Sequence, residues 1–120
     1  MSDRPRGVEH LLPLKPKVLH ILLALAEGPR HGYSIMQEVA ARTEGQVRLW
    51  PAAMYGALRE LEDLDWIAES ADRPSDDDPR RRYFALTPIG TRVLGAEVRR
   101  LEAIVDHARA SRALRRPGRA

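Results

Sequence analysis

The chain has 120 residues, of which 43% are hydrophobic and 31% charged, and its formal net charge is +3. This is the commonest size of a single domain, with enough apolar material for a core, so disorder throughout is excluded. The longest apolar stretch, residues 21–26, falls far short of the ~20 residues that cross a bilayer, and the absence of cysteine excludes disulfide scaffolds, thiolate zinc sites and cysteine nucleophiles.

Residues 1–13 are polar and proline-containing and read as a flexible N-terminal arm. The start of the arm lacks the apolar run of a secretory signal, so the expected location is the cytoplasm, with no membrane partner. From Pro16, a favourable first-turn residue, Val18, Ile21, Leu22 and Leu25 recur at helical spacing. Gly28-Pro29 closes this first helix. A second helix is expected from about Gly32 to Thr43, with Ile35, Met36 and Val39 on one side and Gly45 as its stop. Trp50 precedes a proline and is biased away from the helical region, so residues 46–49 read as extended and Pro51 opens a third helix. Met54, Ala57, Leu58, Leu61 and Leu64 form its apolar stripe, whereas Tyr55, Gly56, Arg59, Glu62 and Asp63 lie largely elsewhere.

The pattern changes at Trp66. Residues 66–70 and 82–86 read as two short strands of a β-hairpin, and residues 71–81, rich in Pro, Asp and Ser, as a long mobile tip too polar to fold inward. Thr87-Pro88 supplies an N-cap and a first-turn proline for a fourth helix that runs to about Leu114 before Pro117 stops it. Its apolar positions, Val93, Leu94, Val98, Leu101, Ile104, Val105 and Ala108, follow three- and four-residue steps. A helix of this reach, ~40 Å, cannot lay its whole stripe on one small core, so the remainder is expected to pair with another chain. Leu94, Val98, Leu101, Val105 and Ala108 are the expected dimer seam. The domains expected are thus the arm (1–13), a winged helix-turn-helix (14–87), a dimerisation helix (88–116) and a basic tail (117–120).

Eighteen of the twenty basic residues are arginine, and residues 109–120 hold five arginines and no acid. Arg80-Arg81-Arg82 stands next to Asp76-Asp77-Asp78. Arginine's planar fork matches phosphate, so these runs suit nucleic-acid contact; arginine and alanine enrichment also follows from a GC-rich genome.

The order of three helices, a β-hairpin and a long helix is that of a winged helix-turn-helix, a mainly α fold whose third helix enters the major groove. Four stretches carry a closer likeness. His31-Gly32-Tyr33-Ser34-Ile35, Met54-Tyr55-Gly56-Ala57-Leu58-Arg59-Glu60-Leu61-Glu62, Arg80-Arg81-Arg82-Tyr83-Phe84-Ala85-Leu86 and Thr87-Pro88-Ile89-Gly90, with their spacing, resemble the PadR family of bacterial transcriptional regulators. They are similar to the start of its second helix, its recognition helix, its second wing strand and the start of its last helix. Members commonly carry a glycine before the first wing strand, where this chain has Asp65-Trp66, and a tyrosine where Phe84 stands. The resemblance, to the short-tailed members of the family, implies a homodimer joined by its first and last helices. It also implies DNA contact by Tyr33, Ala52, Ala53, Tyr55, Gly56, Arg59, Arg80, Arg81 and Arg82. Some members bind small aromatic compounds in the dimer cavity, so such an effector is a further expected partner.

Each of these residues also has a plainer reading. Tyr55 and Arg59, four apart, share one helix face, and that face is either a DNA-reading surface or simply solvated. Gly56 costs ~1 kcal/mol against alanine in a helix interior, which close approach to DNA would explain and chance would also produce. Ala52 and Ala53 are too short for hydrogen bonds but suit a thymine methyl. Along a continuous strand Arg80, Arg81 and Arg82 alternate in direction, so at most two face DNA. Trp50 and Trp66 read as core residues in preference to a stacking pocket. Of His20, His31, Glu27 and Glu38, whose spacing fits no metal motif, His20 reads as packed in the first helix and His31 as standing near the start of the second. No catalytic constellation, metal site or cofactor is expected. The function expected is a homodimeric repressor on a pseudo-palindromic operator. The alternative is a dimeric small-molecule-binding or protein-interaction module of the same fold.

Overall fold

The computed structural model describes residues 7–115. The first six residues of the expected arm and the basic tail, residues 117–120, lie outside the described residues. Pro16 begins helix α1 (Pro16–Leu25), which buries Ile21, Leu22, Ala24 and Leu25. The chain leaves it through Gly28, whose φ of 140° is open to glycine and costly for other residues. A two-residue strand β1 (Arg30–His31) leads into α2 (Gly32–Arg42), capped by His31, whose Nδ1 accepts the Ser34 amide at 3.2 Å. Ile35 and Val39 are its inward residues. Helix α3 (Pro51–Asp63) buries Met54, Ala57, Leu58 and Leu61. The wing follows as β2 (Ile67–Glu69) and β3 (Tyr83–Leu86), and then α4 (Pro88–Ala110), whose N-cap Thr87 accepts the Gly90 amide at 3.0 Å.

The helical stripes of α1, α2, α3 and the first half of α4 converge on one core, closed at its edge by Trp66, Ile67 and Phe84. That is the winged helix-turn-helix expected from the element order, with one addition. The sheet has three antiparallel strands in the order β1-β3-β2, because Arg30 pairs with Phe84 and His31 with Tyr83. A two-residue strand carries no periodicity of its own, and only the partner backbone creates it.

Other departures are local. Leu64, counted in the α3 stripe, is 52% exposed, because it caps the helix and the backbone turns outward there. Asp65 takes the left-handed φ of 64°, a conformation that glycine adopts more readily, at the position where the resemblance sets a glycine. Helix α4 stops at Ala110, short of Leu114, because Ser111 turns extended and its hydroxyl returns to the Ala108 carbonyl at 2.6 Å. A 3₁₀ turn (Arg112–Leu114) follows. Leu94, assigned to the dimer seam, lies in the chain's own core at 7% exposure.

Before α1, a 3₁₀ turn (Glu9–Leu11) packs on α4, and Leu14 is buried. The anchor is Glu97, 1% exposed. Its carboxylate accepts Arg100 Nε at 2.7 Å, Arg100 Nη2 at 2.9 Å and the Leu14 amide at 3.1 Å. These bonds, Arg100 foremost and the Leu14 amide with it, hold the Glu97 carboxyl below the usual glutamate range against the opposing effect of burial. A carboxylate depressed in the folded state stabilises it above the unfolded pKa and loses that contribution as pH falls through the folded one. Glu97→Ala is therefore expected to lower unfolding free energy by about 1–3 kcal/mol at neutral pH. In urea titrations the deficit should shrink as pH drops below ~4; a deficit independent of pH would contradict the ionised anchor.

Candidate nucleic-acid interface

Burial of Met54, Ala57, Leu58 and Leu61 decides which way α3 faces. Residues on the opposite side, Ala52, Ala53 and Arg59, are exposed, and Tyr55 at the flank is 49% exposed. Arg59 has no carboxylate partner among the described residues, so its guanidinium is available to an external anion. Gly56 sits on the same outward side, and a Cβ built there would meet nothing within 4 Å. Packing within the chain thus does not require a glycine at this position.

Gly32 is the reverse case. A Cβ there would fall 2.8 Å from Tyr55 Oη and 3.0 Å from Met54 Cε, so a side chain at this position would displace the tips of both residues from the start of α2. No local signal marks Gly32 for this place, and only the tertiary contact puts it under Tyr55. Tyr33, the next residue, is 54% exposed beside it. Together His31, Gly32, Tyr33, Tyr55, Arg80, Arg81, Arg82 and Phe84 line a cleft of about 320 Å³ between the start of α2, α3 and the wing. The fold therefore gathers six of the nine residues assigned to DNA contact around or beside one another: Tyr33, Tyr55, Arg80, Arg81 and Arg82 in the cleft, with Gly56 adjoining.

The three arginines do not alternate along a strand, because β3 begins only at Tyr83. Each is held by acids. Arg80 meets Asp78 at 3.1 Å, Arg81 meets Asp77 at 3.5 Å, and Arg82 bridges Glu62 of α3 at 2.9 Å and Glu69 of β2 at 3.1 Å. Arg82 also lies over the Phe84 ring at 4.9 Å.

The polar tip is likewise organised. Arg73 donates to the carbonyls of Asp78 and Arg81 and stacks over the Tyr83 ring, and the Tyr83 hydroxyl donates to Asp77. That bond holds the Asp77 carboxyl low and raises the Tyr83 hydroxyl, while Arg80 holds Asp78 low. His31 packs edge-on against Tyr83 with its Nε2 3.1 Å from Arg81 Nη1. Burial, then Arg81, depresses its pKa, so it is neutral at pH 7.

Trp66 is core, as expected, but Trp50 is not. At 69% exposed it points out of the α3 N-terminus, since its extended backbone directs the side chain away from the stripe below. His20 packs within α1, half-buried, its Nδ1 without a hydrogen-bond partner among the described residues. Burial and then Arg42 lower its pKa. Among the described residues no three His, Asp or Glu side chains converge on a common point. No described helix is long and apolar enough to cross a membrane.

A helix-turn-helix backed by a β-wing and presenting an exposed third helix is a winged-helix DNA-binding module. Residues 21–96 match the profile of the transcriptional regulator PadR-like family, and the chain belongs to that family. Solved structures share the fold. A PadR family transcription regulator from Clostridium difficile superposes with a TM-score of 0.65 at 23% identity, covering 77% of this chain and 93% of that one. RosR from H. salinarum superposes with a TM-score of 0.60 at 24% identity, covering 85% and 84%. Among curated relatives, a 37.1 kDa protein in transposon TN4556 of Streptomyces fradiae is 42% identical over 77 residues, 64% of this chain. The chain spans about 20% of the length of that relative.

Because no atom lies where a Gly56 side chain would go, Gly56→Ala is expected to stabilise the fold by about 0.5–1 kcal/mol through helix propensity alone. Thermal unfolding checks this. A lowered midpoint would mean that the glycine answers a packing need inside the chain.

Proposed function

We propose that the protein is a homodimeric repressor that binds a pseudo-palindromic operator in the cytoplasm, with α3 of each protomer in a major groove. The observation that carries this reading is the exposed Tyr55–Arg59 side of α3, with Arg59 free of any carboxylate among the described residues and three arginines beside this side on the wing. Arg59 and Tyr55 reach base edges or phosphates, Gly56 lets the helix backbone approach, Ala52 and Ala53 meet thymine methyls, and Tyr33 with the wing arginines grips the flanking backbone. Exposed ion pairs are individually weak, so a phosphate displaces Asp78 or Asp77 from its arginine at small cost. Affinity accordingly falls steeply with salt.

Support for the pair of chains comes from α4. Its first half is clamped to the core, but no residue from Val98 to Ala110 is buried, and Ile104 and Val105 are 50% and 43% exposed. At ~34 Å the helix outreaches its own domain, and the radius of gyration of 17.3 Å exceeds the ~13–14 Å of a compact chain this long. Val98, Leu101, Val105 and Ala108 of two copies cover one another, and the twofold axis sets half-sites about one helical turn, ~10 bp, or a multiple apart.

Arg59→Ala is expected to weaken binding to the DNA upstream of the protein's own gene by ~1–3 kcal/mol with helix content intact; an unchanged gel-shift titration would remove Arg59 from the interface. Leu101→Asp is expected to give a folded monomer by sedimentation. An intact dimer would place the seam elsewhere.

A further inference from the structure

Trp50 makes no capping hydrogen bond, and the structure leaves it 69% exposed at a position where a polar side chain would cap the helix. The residue before α3 adopts the extended conformation of an N-cap, φ −78° and ψ 148°, and its carbonyl accepts the Met54 amide at 2.9 Å, but no side chain caps the helix. Serine, threonine, asparagine or aspartate there would satisfy an amide and stabilise the helix. Tryptophan forgoes the cap and leaves most of a large indole in water.

Its surroundings show where it faces. Tyr33, Met36, Gln37 and Ala40 recur at three- and four-residue steps along one side of α2. At one end of the α2–α3 seam this side forms the cleft with Tyr55 and the wing arginines. At the other end Met36, Gln37 and Ala40 form, with Arg48, Trp50 and Pro51, a second cleft of about 260 Å³. The two clefts lie along the same seam, so the surface bearing Trp50 is continuous with the candidate DNA face. Arg48 is exposed and, unlike the wing arginines, has no carboxylate partner among the described residues.

We infer that Trp50 and Arg48 form a second backbone clamp at the start of α3, the indole packing on a deoxyribose and the guanidinium meeting an adjacent phosphate of the same duplex. The clamp rests on the operator-binding reading and adds to it a contact at the end of the seam away from the wing. An indole lies flat on a sugar while its Nε1–H donates to a phosphate oxygen, and neither contact depends on base identity. The clamp therefore supplies affinity and register but no sequence choice.

The chain has two tryptophans, one exposed and one buried, so fluorescence isolates the exposed one. Acrylamide quenching is measured on the wild type and on Trp50→Phe, with and without a duplex carrying the sequence upstream of the protein's own gene. Duplex should protect the wild type and change nothing in Trp50→Phe. Trp50→Ala, which truncates a side chain that is mostly exposed, should lose about tenfold in affinity equally on this duplex and on an unrelated one of the same length. Wild-type binding with Trp50 as accessible as before, or undiminished affinity of Trp50→Ala, overturns the clamp and leaves the operator reading standing. Protection that grows with protein concentration in the absence of DNA assigns the indole to a second copy of the chain and also overturns it. Failure of the wild type to bind any duplex overturns both readings.

Discussion

The geometry of the whole module turns on one close approach, between Gly90 at the start of α4 and the backbone of Trp66 at the start of the wing. A Cβ at position 90 would lie 1.9 Å from the Trp66 carbonyl oxygen, so only glycine permits the contact. Thr87 completes the joint. Its amide donates to that same Trp66 carbonyl at 3.1 Å, and its hydroxyl donates to the Asp65 carbonyl at 2.5 Å while accepting the Gly90 amide. The end of α3, the first wing strand and the first turn of α4 are thereby joined within a few residues. The close approach at Gly90 is backbone against backbone, and the Thr87 hydroxyl is the one side-chain group that adds to it. The wing is held at a fixed angle to the recognition helix, and α4 leaves the domain in a fixed direction.

Given that joint, electrostatics sorts the surface. The wing arginines are tied to carboxylates on the tip, on α3 and on β2, whereas Arg59 and Arg48 along the α2–α3 seam have no such partners among the described residues. The ties cost little to exchange, because exposed pairs in water are worth at most about 1 kcal/mol. They still matter for geometry, since they restrict long side chains that would otherwise sample many rotamers. The acids of the wing tip thus fix Arg80 and Arg81 within the chain. In the same way the Gly32–Tyr55 contact fixes one aromatic at the mouth of the cleft and leaves Tyr33 exposed next to it.

The last helix has two halves with different duties. Up to Glu97 it belongs to the core and also holds down the segment before α1 through the Leu14 amide. Beyond Val98 it carries apolar residues into solvent, which a lone chain of this size gains nothing by doing. Such a division puts the exposed apolar half on the same continuous helix whose first turn is locked to the wing.

Helix periodicity, proline at first turns and the glycine stops were legible in the chain because each is a local property, decided within a few residues by sterics and by one apolar stripe. The Tyr55–Arg59 face followed from the same arithmetic. So did the likeness to PadR regulators, since its motifs are short runs whose order and spacing can be compared directly. What tertiary structure alone decided depends on groups distant in sequence. The strand at Arg30–His31 exists only because β3 lies beside it, the arginines at 80–82 are aimed by acids on three different elements, and Leu94 falls to its own core because α4 starts where Gly90 lets it. Trp50 shows the limit most clearly, for hydrophobicity said core, and only the placement of the α3 N-terminus at the edge of the module put its indole in water.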